Sequence, residues 1–156
     1  MPRPGLCLHE DHLIRYRPPL APEEFEEYFS FRWVQLREPL GLPRGSERDS
    51  LEDTAFHIAA YDEQSIIGVG RLHMETDGTA RIRYMAVHPD YWHKGIGRSI
   101  LRKLEQFAHD HQVRVCWLNA RESAVEFYKK NGYVTCGACK SELSSVHHER
   151  MEKMLG

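Results

Sequence analysis

Long apolar runs are missing from this chain: none approaches the ~18–20 residues that a helix needs to span a bilayer, so no membrane segment and no membrane partner is expected. Excess basic charge is missing too. The 156 residues carry 21 Lys and Arg against 23 Asp and Glu, a net charge of −2 with ten His neutral. That balance argues against a nucleic-acid partner, which requires a basic face for phosphates. The first twelve residues, MPRPGLCLHEDH, contain no apolar h-region, so no signal peptide is expected. Cysteine is sparse. Cys7, Cys116, Cys136 and Cys139 form no even ladder of spacings, and a chain of this size can bury a core without bridges. Free thiols in the reducing cytoplasm are the expectation. The lone CxxC, Cys136 to Cys139, gains four zinc ligands only by borrowing His147 and His148, so no metal is expected. Repeats, low-complexity stretches and linker composition are absent, so residues 1–156 read as a single domain.

What is present has the composition of a globular protein, 41% apolar and 28% charged. Phe25, Tyr28, Phe29, Trp33 and Leu36 recur at helical spacing, behind Pro22 and an acidic first turn, and predict a helix over 22–38. Residues 39–50, rich in Pro, Gly and charge, predict a loop. Alternation over 54–61 and 66–74, then an Asp77-Gly78 hairpin signal and 80–87, predict a three-stranded antiparallel meander. A helix then runs to about residue 110 with Ile96, Ile100, Leu104, Phe107 and Ala108 as its core stripe. The rest reads as a strand at 113–118, a short helix at 121–130 closed by Asn131-Gly132, and strands at 133–136 and 146–154. The strand–helix–strand unit in the middle implies one parallel pair. The fold class is therefore α+β: a mixed, mostly antiparallel sheet flanked by helices.

The chemistry lies in Met85-Ala-Val-His-Pro-Asp-Tyr-Trp-His-Lys-Gly-Ile-Gly-Arg-Ser-Ile100, where a strand enters a glycine loop that opens a helix. Helix-start amides have no internal partner and sit at the positive end of the helix dipole, while Lys94 and Arg98 add charge. A phosphate or pyrophosphate is the expected ligand. The P-loop pattern is absent, and a dinucleotide fingerprint fails because Ile100 stands where its third glycine would be. Two capping glycines without a ligand remain an alternative at this point.

A second block, Ala124-Val-Glu-Phe-Tyr-Lys-Lys-Asn-Gly-Tyr133, follows one strand later. Together the two blocks resemble the GNAT superfamily of acyl-CoA N-acyltransferases: the first its R/Q-x-x-G-x-G/A loop, the second its A-x-x-F-Y-x-K-x-G-F/Y motif. With the meander, the likeness covers residues 54–136. The runs LREPLGLPRGSERDSLED and HHERMEK are further similar to the ElaA-like bacterial group. The resemblance implies acetyl-CoA (coenzyme A) as co-substrate, no metal, and direct transfer of an acetyl or acyl group to a primary amine of a small molecule or peptide. It implies a sheet with a splayed parallel strand pair, and it leaves open a homodimer. Carried over residue by residue, the pyrophosphate falls to the amides of His93, Lys94, Gly95, Ile96, Gly97 and Arg98. The pantetheine arm falls to Met85, Ala86, Val87 and Asn119, with an oxyanion contact near Val87, and Tyr128 is implied as general acid toward the CoA sulfur. Trp92 departs from the family's Arg or Gln, and Arg121 stands where many relatives have Asn.

A neutral amine must lose a proton, so a base is needed. Glu52, with Asp53 beside it, and His148 are the candidates. His57 alternates with Phe56 and Ile58 and reads as a structural histidine. A non-catalytic acyl-CoA sensor on the same scaffold is the alternative function. A hydrolase built on Cys116 is disfavoured because no glycine elbow surrounds it. Arg37, Arg44 and Arg48 beside Glu47, Asp49, Glu52 and Asp53 give mixed charge, which does not select an acceptor.

Overall fold

Strand propensity and helix-face periodicity sort the chain into elements that share one sheet. The computed structural model describes residues 13–139 and 147–156. In order these are β1 (Ile14–Arg17), α1 (Pro22–Leu36), β2 (Phe56–Asp62), β3 (Ser65–Met74), β4 (Ala80–Val87), α2 (Ile96–Asp110), β5 (Val115–Arg121), α3 (Val125–Lys130), β6 (Val134–Cys139) and β7 (His148–Met154). Short 3-10 turns at 38–40, 89–91 and 122–124 connect them. The sheet order is β1-β2-β3-β4-β5-β7-β6. Each described neighbouring pair is antiparallel except β4 with β5. The expected α+β class, meander and parallel pair are thus present.

Three details differ from the sequence-based expectation. β1, IRYR, is a polar-looking edge strand whose four residues pair with 59–62 of β2, and its charge hid it. The expected helix at 121–130 starts instead at Val125. Arg121 remains extended at the end of β5, opposite His148 of β7, and its Nη2 donates to Leu36 O at 2.8 Å. β7 slots between β5 and β6, and the Val146 start expected for it lies outside the described residues.

Alternating side chains divide the core between the sheet's faces. On one, Tyr28 and Phe29 of α1 pack on Ala59, Tyr61 and Val69. On the other, Ile96, Ile100, Leu101 and Leu104 of α2 pack with Ile58, Leu72, Ile82, Cys116 and Leu118, joined by Tyr128 of α3. The seat of α2 is set by glycine. A Cβ at Gly70 would come within 2.7 Å of Ile100 Cγ2 and 2.9 Å of Met85 Sδ, and one at Gly68 within 2.9 Å of Ile100 Cδ1. Gly70→Ala should therefore overpack this contact, lowering stability by about 1–3 kcal/mol in urea denaturation. Unchanged stability would show that α2 does not depend on the glycine seat.

Candidate functional site

Two residues of parallel pairing hold β4 to β5: Ala80 opposite Cys116 and Arg81 opposite Trp117. Beyond them the strands part. The β3–β4 register shifts between Val69 and Arg71, and Tyr84 opposite it has φ +60°, a conformation unusual for a bulky residue. The bulge turns β4 away from β5. The resulting gap is a cavity of about 950 Å³ that passes between the two strands.

On the α2/α3 side the cavity is lined by Val87, Ile96, Gly97, Phe127 and Tyr128, with the loop after β4 at its rim. His93 and Gly95 both take positive φ, +64° and +82°, and Gly95 is the N-cap of α2 with no side-chain cap. The first amides of α2 therefore point outward unpaired, at the positive end of a 15-residue helix. Gly95 serves the turn and Gly97 serves contact, since a Cβ at Gly97 would lie 3.2 Å from Phe127 Cζ. His88 N–H donates to Ile67 O at 2.9 Å. Main-chain groups alternate sides along a strand, so the N–H and C=O of Val87 face the gap. Trp92 Nε1 donates to that Val87 carbonyl at 2.7 Å, so this tryptophan pins the loop onto the end of β4.

Tyr128 is buried at the cavity wall, edge-on to Phe127 and Tyr133. Burial raises its phenol pKa well above the ordinary value, so it is a protonated donor at neutral pH. Asn119 Oδ1, also at the cavity, is buried with no hydrogen-bond partner among the described residues. The cavity lining thus gathers Met85, Ala86, Val87, His93, Gly95, Ile96, Gly97, Arg98, Asn119, Tyr128 and His148 from the residues the sequence singled out. Lys94 is exposed beside the rim, 5.6 Å from the Tyr91 ring centroid.

Glu52 requires a correction. It does not line the cavity; its Oε2 is shared by Arg32 and Arg71 at 2.9 Å each and accepts the Asp49 amide at 3.1 Å. A carboxylate engaged by two buried guanidinium groups behind the sheet does not reach a substrate in the cavity. Asp49 belongs to the same network, 2.6 Å from Arg71 and 3.0 Å from Arg83. Burial works to raise its pKa, but the arginines outweigh this and hold the carboxyl well below the usual range. Asp53 borders a separate small hollow beside Phe25, Phe29 and His57. His57 lies with Nδ1 3.0 Å from Tyr28 Oη and Nε2 2.7 Å from Glu52 O, and burial lowers its pKa, as befits a structural imidazole. Cys116 is fully buried in the core, where burial pushes its thiol up to about 12, so it is no nucleophile.

Sequence reasoning missed the other side of the cavity. Arg37, Arg81, Arg83, Tyr84 and Arg121 line it on the α1 side. Their signal was present in the period-two spacing of Arg81 and Arg83, which keep regular register opposite His73 and Arg71, but the gap they border opens only because of the bulge that follows.

These features can be set beside known proteins. Residues 14–133 match the model of the Acetyltransferase (GNAT) family, and the chain belongs to that family. It is 33% identical over 131 residues to the uncharacterized N-acetyltransferase YjcF of Bacillus subtilis, covering 84% of this chain and 93% of that one. Its fold resembles the crystal structure of Escherichia coli ElaA, with TM-score 0.77 and 15% identity over 90% of this chain and 99% of that one. It also resembles the PaiA N-acetyltransferase of Thermoplasma acidophilum in complex with coenzyme A, with TM-score 0.69 and 18% identity over 92% and 99% of the two chains.

Two outcomes are expected. Glu52→Ala should strand Arg32 and Arg71 as buried, half-compensated charges and cost about 3 kcal/mol or more in chemical denaturation. Retained stability would mean that the network does not anchor this loop. Gly95→Ala forces a side chain into the left-handed region at ~1–2 kcal/mol. It should weaken coenzyme A binding about tenfold by calorimetry, whereas equal affinity would remove the turn from the site.

Proposed function

We propose that the protein is an acetyl-CoA-dependent N-acetyltransferase that acylates a primary amine directly within a ternary complex. The observation that carries this reading is the uncapped start of α2 opening into a through-sheet cavity with the Tyr128 phenol in its wall. The residues fit coenzyme A. Amides of His93 to Arg98 supply donors for a pyrophosphate, with Lys94 and Arg98 adding charge. The gap-facing edge of β4 at Met85, Ala86 and Val87, where the Val87 N–H is open and its carbonyl is shared with Trp92, joins Asn119 Oδ1 in supplying partners for a pantetheine arm. The outward Val87 N–H can stabilise the oxyanion of a tetrahedral intermediate. No metal enters this scheme, and the enzyme works in the cytoplasm on a small molecule or peptide, as a monomer or homodimer.

In the reaction the neutral amine nitrogen attacks the thioester carbon. The C–N bond forms, the C–S bond breaks, and the amine loses a proton while sulfur gains one. Tyr128, kept protonated by burial, is placed to protonate the leaving thiolate. His148 of β7, at the cavity's α1 side, replaces Glu52 as the proton acceptor, directly or through water. Solvent exchange then restores both groups.

Free-thiol release with acetyl-CoA over an amine panel tests the reading. Tyr128→Phe should lower kcat about a hundredfold while leaving coenzyme A affinity unchanged. Coenzyme A binding without thiol release from any acceptor would favour the sensor. No saturable coenzyme A binding would end both readings.

A further inference from the structure

The α1 side of the cavity carries a strong charge asymmetry. Arg37, Arg81, Arg83, Arg121 and His148 line it, and among the described residues no Asp or Glu does. Of the nearby acids, Glu52 is turned away to Arg32 and Arg71, while Asp49 lies between Arg71 and Arg83 and so already balances the Arg83 of this wall. Arg121 stands out. It projects from the end of β5, spends one donor on Leu36 O, and has no carboxylate within ion-pair distance among the described residues. Arg37 approaches it, and its Nη1 also donates to Leu36 O, at 3.2 Å. Burial, then Arg37, lowers the Arg121 pKa.

Building on the transferase reading, we propose that the amine acceptor also carries a carboxylate, and that Arg121, backed by Arg37, binds it. A guanidinium offers paired donors that match a carboxylate fork. A polyamine or other acceptor with a second cation in place of the acid would meet like charge at Arg121. The same positive field favours the neutral form of the reacting amine, which suits a cavity without a carboxylate base. The acceptor class is thus a free amino acid or a similar amino carboxylate, its acid group toward Arg121 and its nitrogen toward the gap. Arg121 is here a specificity residue and takes no part in bond making.

Thiol release with acetyl-CoA is compared for matched pairs: lysine against cadaverine, phenylalanine against phenethylamine, and phosphoethanolamine against ethanolamine. Each amino acid should exceed its decarboxylated partner about tenfold or more in kcat/KM. Arg121→Gln should erase that preference through KM, Arg121→Lys should keep part of it, and coenzyme A affinity should stay constant in both. Binding of N-acetylglycine, but not of its amide, to the coenzyme A-loaded protein gives a readout independent of turnover, and Arg121→Gln should abolish it. Equal use of both members of each amino-acid pair, a preference confined to phosphoethanolamine, or absent N-acetylglycine binding overturns the proposal. So does a fall in coenzyme A affinity in Arg121→Gln, since the arginine would then serve the cofactor. Failure of the wild-type protein to bind coenzyme A would instead sink the transferase reading.

Discussion

The parting of β4 from β5 is the constraint on which the site depends. A parallel pair normally continues while both backbones can satisfy each other, because an unpaired N–H or C=O inside a protein is costly. Here pairing stops after Arg81 and Trp117. The cause lies at the other edge of β4, in the positive φ of Tyr84 and the register shift against Gly70 of β3. Such strain persists only where its surroundings over-determine it. They do so here: Arg32, Arg83 and Arg71 place their guanidinium carbons 4.2, 4.6 and 5.0 Å from the Tyr84 ring centroid. Gly70 also accepts the Tyr28 hydroxyl on its carbonyl at 2.9 Å. The unpaired strand edges are then open for an extended ligand to complete, in the manner of an added strand.

The arginine–carboxylate network behind Tyr84 links stability to specificity. Arg32 and Arg71 are both fully buried, and each needs an anion. Asp49 and Glu52, from the loop between α1 and β2, supply it and fasten that loop across the sheet. In doing so Glu52 is withdrawn from the cavity, and Asp49 is shared between the buried Arg71 and the wall residue Arg83. Glu52 is thereby held behind the sheet, where its carboxylate does not reach the cavity.

Much of this was legible in the sequence because it is written in local signals. The meander, the glycine loop and α2 follow from period-two alternation, positive-φ glycines and a helical stripe within short windows. Gly95 and Tyr128 could be picked out because motif spacing fixes them relative to one helix start. β1 was not legible, since IRYR is a polar edge strand that gains its identity from pairing with β2. The placement of Glu52 was not legible either. Its partners are twenty residues away on α1 and nineteen away on β3, and the sequence shows charges without their pairing. The same holds for the basic wall, because the bulge after Arg83 decides where Tyr84 goes and opens the gap that the arginines border.

Trp92 shows why a departure from the family's loop pattern leaves the site's logic intact. A side-chain Arg or Gln at that place would add one donor to a ligand already met by main-chain amides. Those amides depend on backbone shape, which His93 and Gly95 set through positive φ. Trp92 instead spends its indole N–H on Val87 O, tying the loop to the β4 terminus that must present its N–H to the gap. A side-chain donor is exchanged for a fixed distance between the start of α2 and the end of β4. The half-exposed indole also leaves an aromatic face at the cavity mouth. Position matters more than an extra hydrogen bond where donors must meet a charge that develops only in the transition state.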